Sequence, residues 1–149
     1  MAVIKLKMIF FEVVIVMIML AASVKDIKYK QISVYIPALC AVVSAAAGIY
    51  GMFFEGVSFI ELIASLIPGM LLIFLGFLSR GKIGYGDGIM LMCIGPAFGS
   101  EKIWLGIMTA LMLSGLISIV LLTIKRAERN TEMAFIPFMT IGMGVMLFA

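Results

Sequence analysis

Long apolar runs separated by short polar clusters set the pattern of this chain. The runs cover 8–24, 32–54, 57–79, 103–124 and 133–149, and each contains at most an isolated acid. A helix needs about 20 apolar residues to cross a hydrocarbon core about 30 Å thick. Each of these runs meets or approaches that length. A further run, Gly88 to Gly99, does not: as helix it would span only about 18 Å. To cross, it must borrow residues from Ile83 onward, so a helix over 83–99 is expected. The pattern therefore predicts an all-α integral membrane protein, a bundle of six transmembrane helices in a single domain over 1–149.

Basic residues separate cleanly under this arrangement. Lys25, Lys28, Lys30, Arg80, Lys82, Lys125, Arg126 and Arg129 fall on one side, and Lys5, Lys7 and Lys102 on the other. If the short run turned back instead, the two sides would be nearly even. Positive residues concentrate in cytoplasmic loops. Six crossings with both termini outside the cytoplasm follow. The N-terminal run resembles a signal peptide in its leading Lys5 and Lys7, but Ala21-Ala22-Ser23 is a weak cleavage site followed at once by a charged loop. It is taken as the first span.

Composition agrees. Of the 149 residues, 64% are hydrophobic and 13% charged, against about 25% charged in soluble domains. The net charge of +3 is spread over loops that set topology, so nucleic acid is not an expected partner. No histidine is present, which removes the commonest general base and metal ligand. Cys40 and Cys93 lie far apart in apolar runs and form no metal or redox motif. They read as small packing residues, and no metal or cofactor is expected.

The stretch Gly81 to Met90, GKIGYGDGIM, departs from the pattern. It sets Asp87 among glycines immediately before a hydrophobic run. At the cytoplasmic mouth of a bundle, irregular backbone is tolerated where it is packed in protein or lines a wet cavity. A carboxylate at such a boundary is a candidate functional group that calls for a partner. The polar cluster on the same side, SVKDIKYKQIS, supplies one acid, Asp26. Two carboxylates held together share a proton. The ionised one can take a proton from water while the protonated one polarises a peptide carbonyl. Asp26 could instead balance Lys25 and Lys28, and Asp87 could be a helix N-cap.

Gly84 to Asp87, GYGD, resembles the GxGD motif of intramembrane aspartyl proteases. Lys82 to Gly95, KIGYGDGIMLMCIG, is similar to the corresponding block of type IV prepilin peptidases, which include the preflagellin peptidases. DIKYKQIS resembles that family's first aspartate loop, with Ser33 and Val34 where Pro and Asn are usual. AFIPFMTIG, Ala134 to Gly142, resembles its late Pro-Phe helix. The resemblance implies Asp26 and Asp87 as catalytic residues. Gly84, Tyr85, Gly86 and Gly88 would form a substrate-binding loop, with Lys28, Lys30 and Lys82 as possible supporting cations. It implies a substrate too, a prepilin-like or preflagellin-like precursor cut beside its basic leader. It further implies residence in the cytoplasmic (inner) membrane with the site facing the cytoplasm. Larger members carry a zinc-binding domain with paired cysteines, linked to N-methylation of the product; this sequence has no such cysteines, so a short, peptidase-only form is expected.

Other readings are weaker. A serine–lysine protease would use Ser33 with Lys30 or Ser79 with Lys82, which sit in no motif. A small ion- or proton-coupled transporter would use Asp26 and Asp87 as carriers, but both acids lie at one face and no inverted repeat is visible. Glu12 and Glu61 fall near the outer ends of their runs and read as bundle-facing or interfacial glutamates.

Overall fold

A computed structural model describes residues 2–29, 33–80, 84–124 and 135–148. Those residues form helices α1 (Ala2–Tyr29), α2 (Tyr35–Phe54), α3 (Phe59–Leu78), α4 (Tyr85–Thr123) and α5 (Ile136–Met146). No strand occurs among them. Four helices, α1 to α4, are long and apolar enough to cross a bilayer. Their outer faces carry large exposed side chains such as Val42, Phe74, Phe77 and Met112. Helices apolar all round need an apolar surrounding, and the chain is an all-helical membrane protein.

The helices run further than the apolar runs. α1 begins before Lys5 and continues through Lys25, Asp26 and Lys28. No glycine or proline lies in that stretch to stop it, and Lys28 in the last turn complements the helix dipole. Its buried face reads Glu12, Ile15, Met19, Ala22 and Asp26, the three- and four-residue spacing of one helical stripe. The expected first aspartate loop is therefore, at Asp26, helix. α3 starts at a reciprocal cap: Ser58 Oγ accepts from the Glu61 N–H at 3.3 Å, and Glu61 Oε2 accepts from the Ser58 N–H at 3.0 Å. Glu61 thus satisfies the end of a helix.

α4 is two helices in one run. At Gly99 the backbone takes φ 75 and ψ 169, a region open essentially to glycine alone. Past that point the chain reverses. In the arm 85–98, Gly88 lies against Gly69 and Ile73 of α3, and Gly95 lies against Ser65. In the arm 100–123, Gly106 lies against Met143 and Met146 of α5, and Gly142 of α5 against Gly106 and Ala110. Both pairings are antiparallel. α1 and α5 are antiparallel as well, since Thr140 Oγ1 reaches the Met19 carbonyl at 3.4 Å and Asp26 meets Ile136. Taking the C-terminal end of α1 as the upper end, α4 descends to Gly99, climbs back, and α5 descends again.

This answers the question of the short run. It is the descending arm of α4, beginning at Tyr85. At 14 residues it spans about 21 Å, less than a bilayer core, and α5 with 11 residues is shorter still. Helix length alone thus carries four spans, and the descending arm and α5 are too short for it to add the other two expected from the runs.

Close backbone approach holds the descending arm to α3. A Cβ on Gly95 would sit 2.5 Å from the Ser65 carbonyl oxygen, and one on Gly88 3.1 Å from that of Gly69. Between lipid-embedded helices there is no hydrophobic drive to associate, and close van der Waals packing through small residues takes its place. Ser44 of α2 adds a buried tie, accepting the N–H of Ala97 at 3.0 Å, directly after Pro96.

Gly99 and Gly115 both face open space, yet only Gly99 has positive φ. Gly99→Ala is expected to destabilise the protein by about 1–3 kcal/mol. Gly115→Ala, inside a regular arm, should be neutral or stabilising by up to about 1 kcal/mol. Unfolding of both variants in detergent against wild type reads the difference.

Candidate active site

At the upper end three helix termini converge: the last turn of α1, the first turn of α4 and the first turn of α5. Asp26 is on the inward stripe of α1 and is 7% exposed. Its carboxylate accepts a hydrogen bond from the backbone N–H of Ile136, the first residue of α5. Unpaired N–H groups at a helix start need acceptors, and a carboxylate there also meets the positive end of the helix dipole. Asp26 therefore caps a helix from another part of the chain.

Asp87 lies in the first turn of α4 and is half-buried. Gly84, not Asp87, is the N-cap, and the Asp87 N–H bonds the Gly84 carbonyl at 3.2 Å. The Asp87 carboxylate folds back over Gly84: a Cβ on Gly84 would sit 2.8 Å from Oδ2. The first glycine of GYGD thus leaves room for the aspartate's own side chain. Gly84 has φ −65 and ψ 118, values open to any residue, so space and not backbone freedom requires glycine there.

Asp26 and Asp87 come to the same end, close enough that the charge on one is felt at the other. Tyr85 and Gly86 open α4, and Gly88 is buried against α3. These residues, expected within a helix over 83–99 and also as a substrate-binding loop, are the helix's first turn and its packing face. Helical hydrogen bonding begins at Gly84, and the close seat against α3 needs the missing side chain at Gly88. Lys28 points to the Tyr29 ring at 5.4 Å and makes no ion pair with either aspartate. Lys30 and Lys82 lie outside the described residues. Among those residues no group of three or more candidate metal ligands is present.

One participant was not singled out from sequence, the Ile136 N–H. Its signal was available, because Pro137 marks the start of a helix. The upper end also differs in chemistry from the lower, where Lys102 donates to both Glu12 oxygens at 2.8 and 3.0 Å. Glu12 is 4% exposed, so the bundle-facing glutamate is the buried half of an ion pair whose lysine is partly exposed.

The Asp26 cap can be read directly. Amide hydrogen exchange at Ile136 should stay slow in Asp26→Asn, which keeps an acceptor oxygen, and rise several-fold in Asp26→Ala. Equal exchange in the two variants would remove the cap.

Two acids at one end of a helical bundle, Asp26 buried and Asp87 half-buried, are compatible with peptide hydrolysis. Comparison with curated proteins and with solved structures gives no significant match. Comparison with protein families gives one over residues 13–124, which includes both aspartates and all of the α3–α4 contact. The chain belongs to the Type IV leader peptidase family, and is a membrane protease of that kind.

Proposed function

We propose that this protein is an aspartic endopeptidase, with Asp26 and Asp87 as its catalytic pair, and that it removes the basic leader from prepilin-like or preflagellin-like precursors. The observation that carries the reading is the arrival of two interacting carboxylates at one end of the bundle from helices far apart in sequence.

The chemistry follows from one ionised and one protonated carboxyl. The ionised group takes a proton from water as its oxygen attacks the scissile carbonyl carbon. The protonated group gives its proton to the carbonyl oxygen, forming a tetrahedral gem-diol. Collapse of that intermediate returns a proton to the leaving nitrogen and breaks the C–N bond. The Ile136 N–H orients Asp26, and the gap at Gly84 lets Asp87 fold into place. Neither step calls for a metal or cofactor. The reading covers proteolysis alone, without methyl transfer.

The membrane placement proposed here has the upper end in the cytoplasm. Lys25, Lys28 and Arg80 lie there, Lys7 and Lys102 at the other end. The alternating helix directions then correspond to six crossings, with the two short segments covering a locally thinned or protein-shielded path. A precursor with a basic leader and an apolar helix would present its leader-helix junction at that boundary of the inner membrane.

Cleavage of such a precursor in membranes or detergent tests the reading. Asp26→Asn and Asp87→Asn should each lose at least about 10²–10⁴-fold in rate while inserting normally; full activity in either breaks the pair. Gly84→Ala should lose about 10²-fold through displacement of the Asp87 carboxylate, with thermal stability unchanged. The pH profile of kcat/KM should be bell-shaped, because acid protonates the base and alkali ionises the acid. A profile with a single limb would contradict shared acid–base roles.

A further inference from the structure

Cys40 and Cys93 form no motif in the sequence, but the fold brings them to one seam. α2 runs parallel to the descending arm of α4: it starts at Tyr35, soon after α1 ends, and its far end at Glu55 shares a cavity wall with Gly99. Ser44 of α2 accepts the Ala97 N–H at 3.0 Å. Around that bond the Cα atoms of the two residues stand no more than about 7 Å apart, the upper end of what a disulfide spans. Gly48, one turn further down, lies against Pro96, where a Cβ would sit 3.3 Å from the proline ring. Cys40 and Cys93 each precede the Ser44–Ala97 pair by four residues, one turn on parallel helices. They therefore keep that pair's sequence separation of 53 and lie one turn higher on the same seam. Both thiols are free and stand within electrostatic range of each other. Cys40 is fully buried in the core, whereas Cys93 is half-buried.

We propose that Cys40 and Cys93 are an oxidation site, a thiol pair that an organic hydroperoxide of the lipid phase converts to a disulfide between α2 and the descending arm of α4. The half-buried thiol is the point of entry and the buried one resolves it, the arrangement of a sensor cysteine beside its partner. The Cys93 sulfur takes the terminal oxygen of the hydroperoxide. The O–O bond breaks, the lipid leaves as an alcohol with the thiol proton, and Cys93 becomes a sulfenic acid. The Cys40 sulfur then attacks the Cys93 sulfur. The S–S bond forms, the S–O bond breaks, and the hydroxyl leaves with the Cys40 proton as water. Two thiols and one hydroperoxide thus give one disulfide, one alcohol and one water. The product is neutral and apolar, as this depth requires: Cys93 lies about 12 Å along the arm from its start at Tyr85. The disulfide would tie the arm that carries Asp87 to α2, about 9 Å below that residue and without touching it. The site does not rest on the peptidase reading.

The test uses the full, reduced chain in phospholipid vesicles, treated with cumene hydroperoxide, quenched with acid and denatured. Free thiols are then counted by the gel shift of a polymer-linked maleimide. Wild type should pass from two reactive thiols to none as a monomer, and reductant should restore both. Peptide mapping without reductant should recover the Cys40–Cys93 link. In Cys40→Ala, which removes the resolving thiol, Cys93 should be captured as a sulfenic acid by dimedone. In Cys93→Ala, Cys40 should keep its free thiol at the same exposure. Two thiols surviving in wild type would overturn the pair. So would a loss that reductant does not reverse, a disulfide between chains, or a Cys40 that oxidises as fast in Cys93→Ala as in wild type.

Discussion

Backbone contact between α3 and the descending arm of α4 is the constraint on which the remaining geometry depends. Gly69, Gly88 and Gly95 bring the two helices together until main-chain atoms meet. A membrane bundle gains little from removing apolar surface from lipid, so shape match at such contacts carries the association. The contact also fixes the rotation of the arm. With Gly88 turned into α3, the preceding residue, Asp87, is set at the margin of the bundle. The glycines of this region therefore serve order: one gives space to a carboxylate, the next seats a helix.

Gly99 does the complementary work at the opposite end. Its positive φ reverses the chain, and the ion pair between Glu12 and Lys102 ties α1 to the residues just beyond the break. An unpaired charge at this depth would be costly, and each partner is the answer to the other. The returning arm packs on α5 through Gly106 and Gly142, and α5 in turn offers its first N–H to Asp26. The route from Gly88 to Asp26 thus runs through the whole bundle, and the candidate dyad is a product of the fold and not of a local loop.

Much of this was legible in the residues. Apolar runs locate the helices because length and composition decide what a bilayer accepts. The two acids stood out because charge at a membrane boundary is expensive and rare. Helix ends were less legible. Lys5, Lys25 and Lys28 interrupt hydrophobicity but do not stop helical hydrogen bonding, so α1 runs through Asp26. GYGD was expected to lie in a helix over 83–99 and also to serve as a substrate-binding loop, whereas the structure uses Gly84 for space and Gly88 for contact. The pairing of Glu12 with Lys102 has no local signal, since the two are joined only by the reversal at Gly99. The six-run count anticipated the alternating directions, but two of the helical segments are too short for their length alone to establish a crossing.

The central claim is that Asp26 and Asp87 act as one chemical unit. Single-turnover cleavage by Asp26→Asn, Asp87→Asn and the double variant tests it most directly. Residues that share one step are grossly non-additive, so the double variant should be no slower than the slower single one. Losses that multiply in the double variant would show two independent contributions and contradict the account.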